Sequence, residues 1–514
     1  MSIFLQIKEV IQTNKLKTFF LFAWVFLWIF LFRHYFLDDS LIHLRYAENL
    51  IKTHMISYNG DFQTFGASSL LYIVLLGFFN IVWPTFYSVK IVSIIFYLML
   101  LGSLFTFALK MRGKARISIF ILIGAIISPM AIRWLTDGME TSLVSLFVLF
   151  ISYISVNNLF RQSNKTIILF SSIFLIFLRV DLFFLIGVIV SGTMLFYFFS
   201  TKKVLSGFFS SIFYVLGAAI SLLIIFMIFN QILPDTAVAK TTHIPSFGSL
   251  VSIIKASLAT FLFGAFLYFA AIFSSFSVFK ISLMNKEKYW PLFIYEINMI
   301  FFGILFIAMT CQKGMIVHGI RHFSWLLFFF VFSNIFILQK IEEDSSNKFR
   351  KFIHRTAATF VLIALPFEIF VVTKITDACS VNLLAMKNQK LEVLKNKIGV
   401  GGDIGYAGYF SQGKICDISG LVNGTENAKL HHIERIKNCM KKSPDFLFVD
   451  SEKVQAISSV SDINEWIVCY EYKWSNASFD FYKFLIVKPE LLNSVCPNNL
   501  GSYREKKDYI SKLR

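Results

Sequence analysis

Long apolar runs alternate with short basic clusters along the first 373 residues of this chain, and beyond them the pattern changes. Runs at 18–36, 87–109 and 206–233 approach or exceed the ~20 apolar residues that carry a helix across a bilayer. Lys and Arg gather between such runs, at 8–17, 110–116, 161–165, 202–203, 280–288 and 348–355. By the positive-inside rule those clusters mark cytoplasmic loops. The pattern predicts about eleven crossings, near 18–37, 87–109, 117–133, 142–158, 166–178, 182–200, 207–232, 256–279, 291–310, 323–338 and 356–373. The segment 70–83 is apolar but short and ends at Trp83-Pro84; it reads as an interfacial or re-entrant helix. An odd number of crossings from a cytoplasmic N-terminus sends the rest of the chain to the outer side. The first run lacks a short apolar region followed by a small-residue cleavage site and is expected to be a retained anchor.

Composition supports this reading. Of 514 residues, 56% are hydrophobic, 62 are Phe and only 16% are charged, with a mean hydropathy of +0.67. The formal net charge of +18 belongs to the loop clusters rather than to a solvated basic stripe with interleaved aromatics, so nucleic acid is not an expected partner; the lipid bilayer is. The expected fold class is mainly α, a polytopic helical bundle over 1–373 with an outer loop at 38–86. A small α/β domain is expected over 374–514, because apolar runs there shorten to strand length, as at 446–449 and 484–487. Five of the six Cys, 379, 416, 439, 469 and 496, fall in that tail. An oxidising outer compartment would permit two disulfides and leave one odd thiol; the connectivity, and the alternative of free buried Cys, stay open. No Cys/His spacing suggests a metal site.

On this topology the polar residues hardest to explain fall on the outer face: Asp38-Asp39 with the 38–69 loop, Arg133 through Glu140, Arg179-Val180-Asp181, Leu233 through Lys240, and His318 through His322. Adjacent acids at a membrane edge need water, a counter-charge or a substrate. A helix N-cap explains one of them and leaves the other. On a helix beginning there, Asp39, His43, Tyr46 and Leu50 share one stripe and Asp38, Ile42, Arg45 and Asn49 another. Convergence on one face suits chemistry on a lipid-linked substrate, which needs a carboxylate to take a proton, cations to hold phosphate and an apolar slot for the tail. Lys240 could be a Lys that only snorkels at the interface, Arg321 and His322 could be outer-loop charges, and His243 carries a weaker signal still. Glu296 and Lys90 lie inside expected crossings and require partners.

Several segments together resemble a family. Asp38 through Leu50, followed by Ile56-Ser57-Tyr58-Asn59-Gly60 and Phe65-Gly66-Ala67-Ser68-Ser69, is similar to the first outer loop of bacterial GT-C glycosyltransferases, especially those resembling the mycobacterial terminal arabinofuranosyltransferase. In the same order follow Gly138-Met139-Glu140-Thr141, Arg179-Val180-Asp181, Leu233-Pro234-Asp235-Thr236 with Ala239-Lys240, Gly319-Ile320-Arg321-His322-Phe323, Asp403 through Tyr409, and Asp417 through Leu421. The chain departs from the family pattern at Val180, where Pro is expected, and at Asp235, where Asn is usual. The resemblance implies an inverting transfer of sugar from a polyprenyl-phosphate donor to a cell-envelope glycan acceptor, at the periplasmic side of a bacterial cytoplasmic membrane. It makes Asp38 the general base, Asp39 its partner in positioning substrate or a divalent metal, and Arg45, Tyr46, Lys240, His243, Arg321 and His322 substrate-binding residues. A transporter or flippase of lipid-linked saccharides shares the greasy helices and is the alternative.

Overall fold

A computed structural model describes residues 15–111, 113–160, 164–201, 204–241, 265–284, 286–310, 319–341, 369, 391–402, 404–475, 480–496 and 500–512. It is mainly helical. The helices of the first part are α1 (Lys15–Leu31), α2 (Asp38–Thr53), α3 (Leu70–Val82), α4 (Ser88–Lys110), α5 (Gly113–Ile126), α6 (Pro129–Leu135), α7 (Thr141–Phe160), α8 (Lys165–Leu178), α9 (Phe183–Thr201), α10 (Val204–Phe229), α11 (Asp235–Thr241), α12 (Ala265–Met284), α13 (Lys286–Thr310) and α14 (Gly319–Ile341).

Among the described residues five helical segments are long and apolar enough to cross a membrane: 88–110, 141–160, 180–201, 205–229 and 324–341. A sixth counts if α5 and α6 form one span, bent by 73°. The bend is local chemistry. Ser128 caps α6 by accepting from the Ala131 N–H, and Pro129 at the first helical position cannot donate to a continuing α5. Further apolar helical stretches among the described residues run over 19–31, 70–82, 165–178, 269–283 and 289–305, the last two inside the longer helices α12 and α13. The first expected crossing, 18–37, ends as helix at Leu31, because the chain turns at 32–34 and runs extended into α2. The expected crossing at 356–373 lies outside the described residues apart from 369, and so does the first part of 256–279. Exposed Phe20, Phe30, Phe78, Phe209, Met227, Phe276 and Phe301 cover the outside of the bundle, an apolar surface that suits lipid rather than water.

From Leu391 the chain builds a five-stranded sheet from β1 (Ile398–Gly401), β2 (Lys414–Asp417), β3 (Phe446–Asp450), β4 (Ile467–Ser475) and β5 (Asp480–Val487), in the order β2-β1-β3-β5-β4. The first three are parallel and the last two antiparallel. Helix α15 (Ile404–Ser411) follows β1; α16 (Thr425–Lys429) and α17 (His432–Met440) follow β2; α18 (Ser451–Ser458) follows β3. Side chains of a strand alternate between faces, and here both faces are apolar with different partners. Phe446, Phe448, Leu485 and Val487 join the core that runs continuously into the helical bundle, whereas Leu447, Val449, Phe484 and Ile486 pack with Val400, Ile436 and Val454 on the far side. Cys416 pairs with Cys439 and Cys469 with Cys496, which resolves the connectivity left open by the sequence; Cys379 lies outside the described residues.

Candidate functional site

The segment between α1 and α2 places the acidic pair. Asp38 and Asp39 open α2, whose C-terminal end turns at His54 in the left-handed region. The Asp38 carboxylate accepts the Gly405 N–H at 2.8 Å and the Tyr406 N–H at 2.7 Å, so it sits on the positive N-terminal end of α15. Gly405 is required there: an added Cβ would run into the Asp38 backbone. Enclosure of this carboxyl group pushes its pKa up, and the nearby Asp39 adds to the rise, while the Lys483 ammonium and the two amide bonds oppose it. Asp39 is half-buried, and its carbonyl oxygen meets the His43 ring at 2.9 Å.

The same seam consumes Arg45 and Tyr46. Arg45 donates to the carbonyls of Tyr58, Gly408 and Gly413, with its guanidinium 4.7 Å from the Tyr58 ring centre. The Tyr46 hydroxyl pairs with Thr64 Oγ1 and accepts the Gly66 N–H. Both side chains are buried; the Arg45 bonds join the segment 38–69 to the sheet layer, and the Tyr46 bonds hold α2 to residues 64–66. Asp235 does similar work on α11: its N–H donates to Phe65, and Oδ1 accepts from Gln231 and, at 3.1 Å, from Thr425 of α16. Asp417 accepts the N–H groups of Ser419, Leu421 and Val422; burial pushes its pKa up to about 6 against these bonds and the Lys453 charge.

A second cluster lies beneath α2. Arg179 grips Asp181 through two bonds of 2.9 and 2.8 Å and reaches Glu140 at 3.1 Å, and the other Glu140 oxygen stands 4.0 Å from His43. Lys90 donates to the Tyr35 carbonyl at 3.0 Å and lies within electrostatic reach of Asp137 and Arg133. The partner that the sequence could not name for Lys90 is thus the backbone just ahead of the acidic pair.

Beside this segment runs an apolar groove of about 630 Å³ lined by Phe26, Ile29, Phe30, Trp83, Ile91 and Ile94, with Arg33 and Lys90 on its wall. Segments 38–50, 56–69, 234–236, 404–409 and 417–422, scattered in sequence, meet around the seam, and 138–140 and 179–181 form the second cluster beneath α2. Lys240 belongs to α11, which packs on α16 at that seam; its side chain, His243, and the side chains of Arg321 and His322 in the first turn of α14 lie outside the described residues. Sequence reasoning missed the His43–Glu140–Arg179–Asp181 network as a unit. The signal was present in the order-matched segments at 138–141 and 179–181 but not in their spacing.

Among the described residues no group of three or more His, Cys, Asp or Glu is placed to hold a metal ion. Compared with family models, curated proteins and solved structures, the chain finds no match.

Proposed function

We propose that this chain is an integral membrane glycosyltransferase that moves a sugar from a polyprenyl-phosphate donor to an envelope glycan, with inversion. The observation that supports it most is one of juxtaposition. The apolar groove with Arg33 and Lys90 on its wall is bounded by the segment that leads directly into Asp38-Asp39, so a lipid tail, an anionic head and an acid pair have adjoining places. In this reading the tail lies in the groove and the cations hold the phosphate. A carboxylate takes the proton from the acceptor hydroxyl as its oxygen bonds to the anomeric carbon and the bond to phosphate breaks. About eleven crossings, a cytoplasmic N-terminus, the sheet layer on the periplasmic side and residence in a bacterial inner membrane belong to the same proposal.

We assign two of the roles differently from the resemblance. The Asp38 carboxylate holds the seam through two amides of α15, and we assign the base to the neighbouring carboxylate of Asp39, one position round α2. The test is transfer by the full-length protein in proteoliposomes containing a polyprenyl-phosphate sugar. Asp39→Asn is expected to lower turnover at least ~10²-fold with an unchanged thermal midpoint, whereas Asp38→Asn is expected to lower the midpoint as well. Loss of turnover in Asp38→Asn at full stability, with Asp39→Asn active, would return the base to Asp38. Movement of the lipid-linked saccharide across the bilayer without product would replace the transferase with a flippase.

A further inference from the structure

Hydroxyls in the bundle helices mostly bond the carbonyl one turn back, as Ser145, Ser152, Ser172 and Ser221 do, the usual way to satisfy such groups in an apolar surrounding. Some hydroxyls, such as those of Ser118, Thr193 and Ser282, are buried without one, and one group of unbonded atoms includes a carboxyl oxygen. Around Glu296 of α13, six buried polar atoms make no hydrogen bond: Glu296 Oε1, both side-chain ends of Asn334, Ser333 Oγ, and the hydroxyls of Tyr295 and Tyr214. Glu296, Ser333, Asn334, Tyr295 and Tyr214 are fully buried. Glu296 Oε2 accepts from Ser275 at 3.1 Å. Asn334 of α14 faces Glu296, and Ser155 of α7 and Ser333 face Tyr295, without closing bonds of ordinary geometry.

Each such group costs free energy in an apolar interior, and a carboxyl group more than the rest. Concentrating them around one acid makes sense when something positively charged sits among them. The donor set is one carboxylate plus neutral hydroxyl and amide oxygens. It lacks the His and Cys that favour transition metals and the several carboxylates that favour calcium. We propose that Glu296, Ser275 and Asn334, backed by Ser333 and Tyr295, form an intramembrane site for a small hard monovalent cation, which exchanges with the proton of Glu296. Among the described residues, the titratable groups facing Glu296 are Tyr295 beside it and, beyond that ring, Tyr214. Lys280 lies five residues along α12 from Ser275, on the same groove of about 760 Å³.

The site is independent of the seam and of the transferase reading. The test measures the thermal midpoint of the full-length protein in detergent at pH 8, in NaCl, LiCl, KCl or choline chloride at equal ionic strength. Wild type is expected to gain several degrees, saturably, with one or more of the alkali cations over choline, and to lose most of that gain at pH 5, where protons compete. Glu296→Gln is expected to keep the fold, since its amide can still accept from Ser275, and to lose the cation response. Ser275→Ala is expected to shift the half-saturating concentration upward ~10-fold. An equal midpoint in all salts at pH 8, or an undiminished response in Glu296→Gln, overturns the proposal.

Discussion

Arg45 shows how much one side chain carries at the seam. Its guanidinium meets three carbonyls from two parts of the chain, and each acceptor left unpaired in a buried place costs about 1–3 kcal/mol. Arg45→Met is therefore expected to lower the thermal midpoint of the full-length protein by more than Arg504→Met, whose salt bridge is exposed on both sides. Asp417 allows a pH experiment with a defined sign. Its pKa is about 6 in the folded chain against an ordinary 3.8. Between those values the folded state holds a proton that the unfolded state has released, so this group's contribution to stability is complete below the lower value and is lost as pH rises through 6. The difference in denaturation midpoint between pH 4.5 and pH 7, compared between wild type and Asp417→Asn, is expected to shrink in the variant. At this scale the sequence was legible in part. Two adjacent acids at an apolar boundary flagged themselves, but which oxygen meets which amide depends on a contact spanning 367 residues, and no local pattern encodes that.

Elements were legible wherever periodicity or run length is the cause. The long apolar helices α4, α7, α9 and α10 fall close to the expected crossings because length and greasiness alone dictate them. The strands at 446–450 and 480–487 appear where short apolar runs indicated. What stayed hidden was the break at Ser128-Pro129, where a run of apolar residues reads as one span unless the cap and the proline are weighed together. α15 adds a requirement of its own. Gly405 and Gly408 present a face without side chains to Asp38 and Tyr58, and neither position has space for a Cβ. Gly405→Ala is expected to push α15 off α2 and expose the seam to protease in the folded membrane-bound protein. Cleavage indistinguishable from wild type would mean that the two helices are not held together there.

Across the whole molecule, the sheet layer is an extension of the bundle's core on one face and a separate packing unit on the other. Reduction of the Cys416–Cys439 bridge, which ties β2 to α17, is expected to loosen the far face first. Hydrogen exchange in reductant should therefore rise at 432–440 before it rises at 446–448. The order of the parallel strands, with a glycine-containing turn leading from β1 into a helix, is an arrangement that often receives the phosphate of a soluble ligand on free amides. Here the first amides of that helix, α15, are plugged by the start of α2, since the Asp38 carboxylate fills the position an anion would take. An anion arriving there would be a competitor of the joint, and its entry would unfasten the layer from the membrane helices.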